Sequence, residues 1–192
     1  MKLSQLNASL FDHLYRDIMQ FRMTFDLPCE DPLSLDDKSD QLHSSLIIEE
    51  LTELAQANSL IDEADAIVDS VYVLMGRVVH LGNKKLTDNL ALSYLIDLFL
   101  NVAASRKINF LACWDEIHAS NMSKVCRNAQ EYQETQAYYE KQGVTLVDSV
   151  KGDFIIAKCA QDVQLADKLV RQGKVLKSVY YRPADLTNIV SL

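Results

Sequence analysis

Residues 41–81 read QLHSSLIIEELTELAQANSLIDEADAIVDSVYVLMGRVVHL. Two stretches, Gln41–Asn58 and Ile61–Leu81, are rich in helix formers, and only the residues near Ser59 and Leu60 separate them. A connection that short makes an antiparallel helical hairpin. Glu50 and Glu53 lie three apart, and Asp65 and Asp69 four apart, so each pair projects from one side of its helix. Both helices rise by roughly 1.5 Å per residue. A turn near Ser59 therefore sets residue 53 opposite residue 65, and residue 50 opposite residue 69, which closes a four-carboxylate cluster.

Like charges three or four apart on one helix cost roughly 0.2–0.5 kcal/mol per pair, and facing pairs cost more. A cation resolves the conflict. Oxygen-only ligands suit magnesium or manganese, whereas zinc and copper call for histidine or cysteine among the donors. Glu49 and Asp62 are outer members of the cluster, and Glu63 points roughly 100° away from Asp62 and carries little weight. A merely solvated acidic face would interleave lysines one turn away. No basic side chain occurs between His43 and Arg77.

The flanking sequence extends the helical reading. From Gln5 to about Phe25, Leu6, Leu10, Phe11, Leu14, Ile18 and Phe21 recur at helical spacing, and this helix ends near Asp26-Leu27-Pro28. PCEDPLSLDDKSD (28–40) holds two prolines and several turn formers and reads as a loop of roughly a dozen residues, long enough to cover a site. A fourth helix runs from a cap at Thr87 or Asp88 through Leu90, Leu95, Leu98 and Val102, and a fifth from Phe110 to about Arg127. The expectation is an all-α fold, a four- to five-helix bundle over residues 1–128. Residues 129–192 read as an appendage: a polar helix, AQEYQETQAYYEKQ, stopping at Gly143; a β-hairpin, VTLVDSVKGDFIIAKC, around Lys151-Gly152-Asp153; a short helix, DVQLADKLVRQG; and the tail KVLKSVYYRPADL.

Composition agrees. With 48% hydrophobic and 24% charged residues over 192 positions, the chain is an ordinary soluble globular protein. Only 5 Gly and 3 Pro favour long helices over frequent tight turns. A net charge of -8 argues against a nucleic-acid polymer as partner but leaves small phosphorylated ligands open, since a metal and a few lysines meet those. Cys29, Cys113, Cys126 and Cys159 show no CxxC spacing. The amino terminus lacks a signal-peptide pattern, and the most apolar run, LALSYLIDLFLNVAA, carries Asp97 mid-span, so the expectation is cytoplasmic, with no membrane partner.

EELTEL (49–54) followed by DEADAIVDSVYVLMG (62–76) resembles the ExxE and ExxD metal pattern of the all-α nucleotide pyrophosphohydrolases. That superfamily takes in the MazG proteins, the dimeric dUTPases and phosphoribosyl-ATP pyrophosphohydrolase. The family's second pair is three apart. Asp62 with Asp65 has that spacing and Asp65 with Asp69 is four apart, so both pairs stay open. FRMTFDLP (21–28), EIHASNMSKV (116–125) and GKVLKSVYYRPADL (173–186) resemble segments of a bacterial and phage subgroup, which often has His in place of Arg22. Residues 130–170 carry no such likeness.

The resemblance implies a MazG-like helical bundle, a homodimer or dimer of dimers, that binds a nucleoside triphosphate with Mg2+, or Mn2+ in its stead. It cleaves the α–β phosphoanhydride to give the monophosphate and pyrophosphate. Glu49 or Glu50 would take a proton from the attacking water; Glu50, Glu53, Asp65, Asp69 and Asp62 would hold metal. Asn121 and Lys124, one helical turn apart, would contact sugar and phosphate, and Lys174, Lys177 and Tyr180 the polyphosphate. Phe21 and Phe25 read as core rather than a base platform, and Trp114 with His118 as a packed aromatic pair. Two other functions fit a helical bundle with clustered acids. A carboxylate-bridged di-iron oxidoreductase would use the DxxH at Asp115–His118, although that fold wants Glu-x-x-His on two helices. A non-catalytic interaction module would use the acids to bind a basic partner. No segment specifies a base or sugar.

Overall fold

The hairpin at 41–81 forms as expected. α2 (Asp37–Gln56) and α3 (Leu60–His80) pack on each other across residues 57–59, and Ser59 caps α3 by accepting a hydrogen bond from the Asp62 N–H. The structure, a computed structural model, describes residues 2–165 and 168–191. The chain divides into two compact units: Met1–Met23, Leu27–His118 and Ala184–Leu192 make the first, and Thr24–Asp26 with Ala119–Pro183 the second.

In the first unit, α3 is the centre of the core. Ile67, Val68, Val71 and Met75 are sealed by Phe11, Leu14 and Ile18 of α1 (Ala8–Thr24), Ile96 and Leu100 of α4 (Leu90–Ser105), Trp114 and Ile117 of α5 (Phe110–Met122), and Leu186 and Val190 of the returning tail. Asp97, which interrupts the apolar run of α4, is 6% exposed. Its carboxylate accepts the backbone N–H groups of Ser4, Gln5 and Leu6 at 2.7–3.1 Å and so fastens the amino-terminal segment.

Helix boundaries differ from the sequence expectation, and α1 begins at Ala8 rather than Gln5. α2 begins at Asp37 rather than Gln41, because Asp36 caps it through Ser39 N–H and Asp37 and Asp40 sit in its first turn, where the helix dipole favours acids. The loop is correspondingly shorter and contains a 3-10 turn at Pro32–Ser34. The cap of α4 is Asn89, not Thr87 or Asp88. α5 stops at Met122 instead of running to Arg127. There the Ser123 hydroxyl bonds the Ser120 carbonyl, offering the backbone an alternative to another turn, and Cys126 pairs as a β-bridge with Ile155.

The second unit holds α6 (Ala129–Glu140), capped by Asn128, and an antiparallel hairpin of β1 (Leu146–Lys151) and β2 (Phe154–Cys159). Lys151 pairs with Phe154, which puts Gly152 at the turn with φ 56°, a conformation glycine adopts without steric cost. The expected helix over DVQLADKLVRQG is absent. Val163–Leu165 (β3) pairs antiparallel with Lys168–Val170 (β4); residues 166 and 167 of that expectation lie outside the described residues. The reason is a period of two: Val163 and Leu165 pack against the core of Val144, Leu146, Ala157, Cys159, Val170 and Leu176, with Gln164 turned out. Asp162 closes the pair by receiving the Arg171 guanidinium at 2.9 Å and the Gln172 N–H at 2.7 Å.

The chain is thus mostly helical, with a small hairpin near its carboxyl end, as the sequence suggested. Among the described residues no helix is long and apolar enough to cross a membrane.

Candidate functional site

From Ala64 to His80, α3 is buried except at Asp65, Asp69, Val73 and Arg77. Those four positions recur at i, i+4, i+8 and i+12, so they form one accessible stripe on a helix otherwise enclosed by core. Two aspartates lead that stripe. The other arm of the hairpin carries half-buried Glu49 and Glu50 and exposed Glu53. The Asp65 carboxylate also makes itself felt inward: burial first, and then the charge of Asp65, pushes the Cys113 thiol above its ordinary range.

Asp62 and Glu63 lie nearer the start of α3. Asp62 is exposed; its Oδ2 accepts the Asn58 N–H at 3.3 Å while its own N–H donates to Ser59 Oγ at 3.1 Å, a reciprocal closure of the helix start. Glu63 forms a two-pronged ion pair with Arg106 at 2.6 and 2.7 Å, in keeping with the small weight given to it.

At the far end of the stripe lies a polar group that the sequence reading missed. Arg77 pairs with Asp40. Arg22 is 7% exposed and donates from Nε to the Pro28 carbonyl at 2.6 Å. His43 Nε2 meets His80 Nδ1 at 3.0 Å, and His80 Nε2 meets Ser34 Oγ at 2.8 Å. Burial, then the Arg22 charge, brings His43 down to about 3 and lowers His80 as well, so both rings are neutral at pH 7. One signal was available. Arg22 continues the Leu14–Ile18 stripe of α1 at i+4, the place of a buried side chain.

Of the aromatic expectations, Phe25 is fully buried and Phe21 packs edge-on to Tyr72, centroids 5.4 Å apart. Tyr72 lies 5.1 Å from the Trp114 ring, and its hydroxyl meets His118 Nδ1 at 3.0 Å. In the second unit Asn121 is 8% exposed near the end of α5. Lys124 falls beyond that end, so the two do not share a helix face as expected; the Lys124 N–H donates to the Asn121 carbonyl and its own carbonyl accepts from Ser178. Lys174 is half-buried. Lys177 Nζ sits 4.4 Å above the Tyr181 ring, and the Tyr180 hydroxyl donates to Glu134 at 2.6 Å.

The accessible acidic stripe lies inside a recognisable segment. Residues 20–91 match the family model of phosphoribosyl-ATP pyrophosphohydrolase. That family lies within the MazG-like all-α pyrophosphohydrolase superfamily, so the likeness read from EELTEL and DEADAIVDSVYVLMG is borne out. The phosphoribosyl-ATP pyrophosphohydrolase match takes in the end of α1, all of α2 and α3 and the first residues of α4. It supports a hydrolase acting on a nucleotide phosphoanhydride bond. No curated protein and no solved structure matched the chain.

Proposed function

We propose that the protein is a divalent-metal-dependent nucleoside triphosphate pyrophosphohydrolase, cleaving between the α and β phosphates. The observation that carries the reading is the placement of Asp65 and Asp69 on the accessible stripe of a buried helix, within a hairpin whose other arm bears Glu49, Glu50 and Glu53. Acids on a solvated face have no need of such a setting. The donor set fits a hard cation, because it offers carboxylate oxygen alone, and no basic side chain is interleaved between His43 and Arg77 in the sequence. Glu50, Glu53, Asp65 and Asp69 would hold Mg2+ or Mn2+. Asp62 is exposed at the start of α3, whereas Asp65 and Asp69 lie half-buried on the stripe, which favours Asp65 with Asp69 as the second pair.

When bound, the cation supplies positive charge at the phosphates and acidifies the attacking water. Glu50, or its neighbour Glu49, accepts the proton; both are half-buried, which limits solvent screening of that carboxylate. Asn121, Lys124, Lys174, Lys177 and Tyr180 enter as sugar and phosphate contacts on the resemblance alone. A dimer is favoured by α2 itself. None of its residues is buried, and Ile48 and Leu51 are 62% and 44% exposed, so its apolar side awaits a cover.

Product analysis tests the reading. With Mg2+ the protein is expected to convert a nucleoside triphosphate to monophosphate and pyrophosphate, and chelation to stop it. Diphosphate and orthophosphate as products, or turnover indifferent to chelation, would contradict it.

A further inference from the structure

On α1 and α5 of the first unit, two acids converge on one imidazole nitrogen. His13 Nε2 lies 3.3 Å from Asp17 Oδ2 and 3.3 Å from Asp115 Oδ1. The three ligand atoms all fall within 4.8 Å of one another. A ring nitrogen carries one proton at most and can serve one acceptor well, so two arrangements satisfy both contacts: an imidazolium ion triad, or a cation bound between the three donors. The spacing fits the second. Tetrahedral coordination with bonds of about 2.0–2.1 Å places neighbouring donor atoms about 3.3–3.4 Å apart, which is the observed His–Asp spacing.

The arrangement has outer support of the kind metal ligands use. Asp17 Oδ2 accepts the indole N–H of Trp114 at 2.8 Å, and Trp114 is fully buried, so the core fixes the orientation of that carboxylate. His13 and Asp17 are one turn apart on α1, and Asp115 comes from α5, so an ion there would join two helices that the core already packs. His118 borders the group with its ring nitrogens committed to Tyr72 and Gln20. The side chains of His13 and Asp115 are 34% and 61% exposed, which leaves the fourth position open to water.

We infer that His13, Asp17 and Asp115 form a second cation site, suited to a borderline divalent ion such as Zn2+ or Co2+ rather than Mg2+, because imidazole joins the carboxylates. It does not depend on the proposed hydrolysis. Its role is to fasten α1 to α5.

The full chain should be titrated with Co2+ and, separately, Zn2+, following visible absorption and the melting temperature. The expected result is one equivalent of Co2+ with an intense tetrahedral spectrum and no thiolate charge-transfer band, displaced by Zn2+, beside any weakly absorbing octahedral Co2+ taken up by the oxygen-only carboxylates of the hairpin, with Zn2+ raising the melting temperature. His13→Gln should weaken binding by more than about 100-fold, beyond the loss of an outer-shell partner. The exposed Asp115→Asn should weaken it likewise, with a circular dichroism spectrum equal to wild type, while Glu50→Gln should leave it unchanged. Undiminished binding in His13→Gln would overturn the site. So would a spectrum with no tetrahedral component, a thiolate band, or loss of the tetrahedral signal in Glu50→Gln alone; each would place the ion elsewhere, and no binding at all would leave a plain ion triad.

Discussion

Asp62 and Asp69, seven residues apart on α3, do different work. Asp62 is exposed and closes the helix start with Ser59 and Asn58, whereas Asp69 lies on the accessible stripe within the core. Asp69→Asn is expected to lower pyrophosphate release by at least about 100-fold, by analogy with the loss of a metal-positioning group. Asp62→Asn should keep most of the activity and lose about 0.5–1 kcal/mol of stability, in the range of a weakened cap. Steady-state rates and denaturant melts of the two variants separate these outcomes. His43 makes a different prediction. Its folded pKa of about 3 lies below the ordinary 6.5, so as pH falls below 6.5 the unfolded chain takes up protons before the folded one. Stability is therefore full above pH 6.5 and declines toward pH 3, with a slope of at most about 1.4 kcal/mol per pH unit from this group. Urea titrations across that interval should show the decline, and His43→Gln should flatten it.

At the scale of elements, what could be read from the sequence was what local physics dictates. The α2–α3 hairpin was legible because a short connection and continuous helix formers leave one topology, and the β1–β2 hairpin because Lys151-Gly152-Asp153 joins two alternating runs. The start of α2 was missed because Ser, Asp and Pro serve both turns and caps, and only the folded chain shows Asp36 accepting from Ser39. β3 and β4 were read as a helix because three residues each are too few to display a period against intervening charged positions. The acids of the site were visible in their spacing, but the burial that distinguishes Asp65 and Asp69 from Asp62 depends on what packs around α3. The Arg22–His43–His80 group, with Arg22 and His80 buried and His43 half-buried, joins side chains from α1, α2 and α3, a long-range meeting that no window of sequence displays. Asp97 is similar: what looks like an interruption of an apolar run is an acceptor for three backbone N–H groups. Asp97→Asn should cost about 1.5–3 kcal/mol, the range for hydrogen bonds to a charged group, seen as a lower melting midpoint and early amide exchange at Ser4, Gln5 and Leu6.

For the whole molecule, the proposed assembly and the proposed chemistry are separable. Exposed apolar side chains on α2 and α4, among them Ile48, Leu51 and Leu98, are expected to lie in a dimer interface. Leu98→Glu, 57% exposed in the chain, should weaken that dimer at least tenfold in sedimentation velocity while circular dichroism shows unchanged helix content. The central claim is that the carboxylates of the hairpin perform phosphoanhydride hydrolysis. It is tested most directly by pyrophosphate release from a panel of nucleoside triphosphates with Mg2+, comparing wild type with Glu50→Gln. Release by wild type that is lost in Glu50→Gln, with folding intact, is the predicted result. A wild type that releases none from any nucleotide, or a fully active Glu50→Gln, would contradict it.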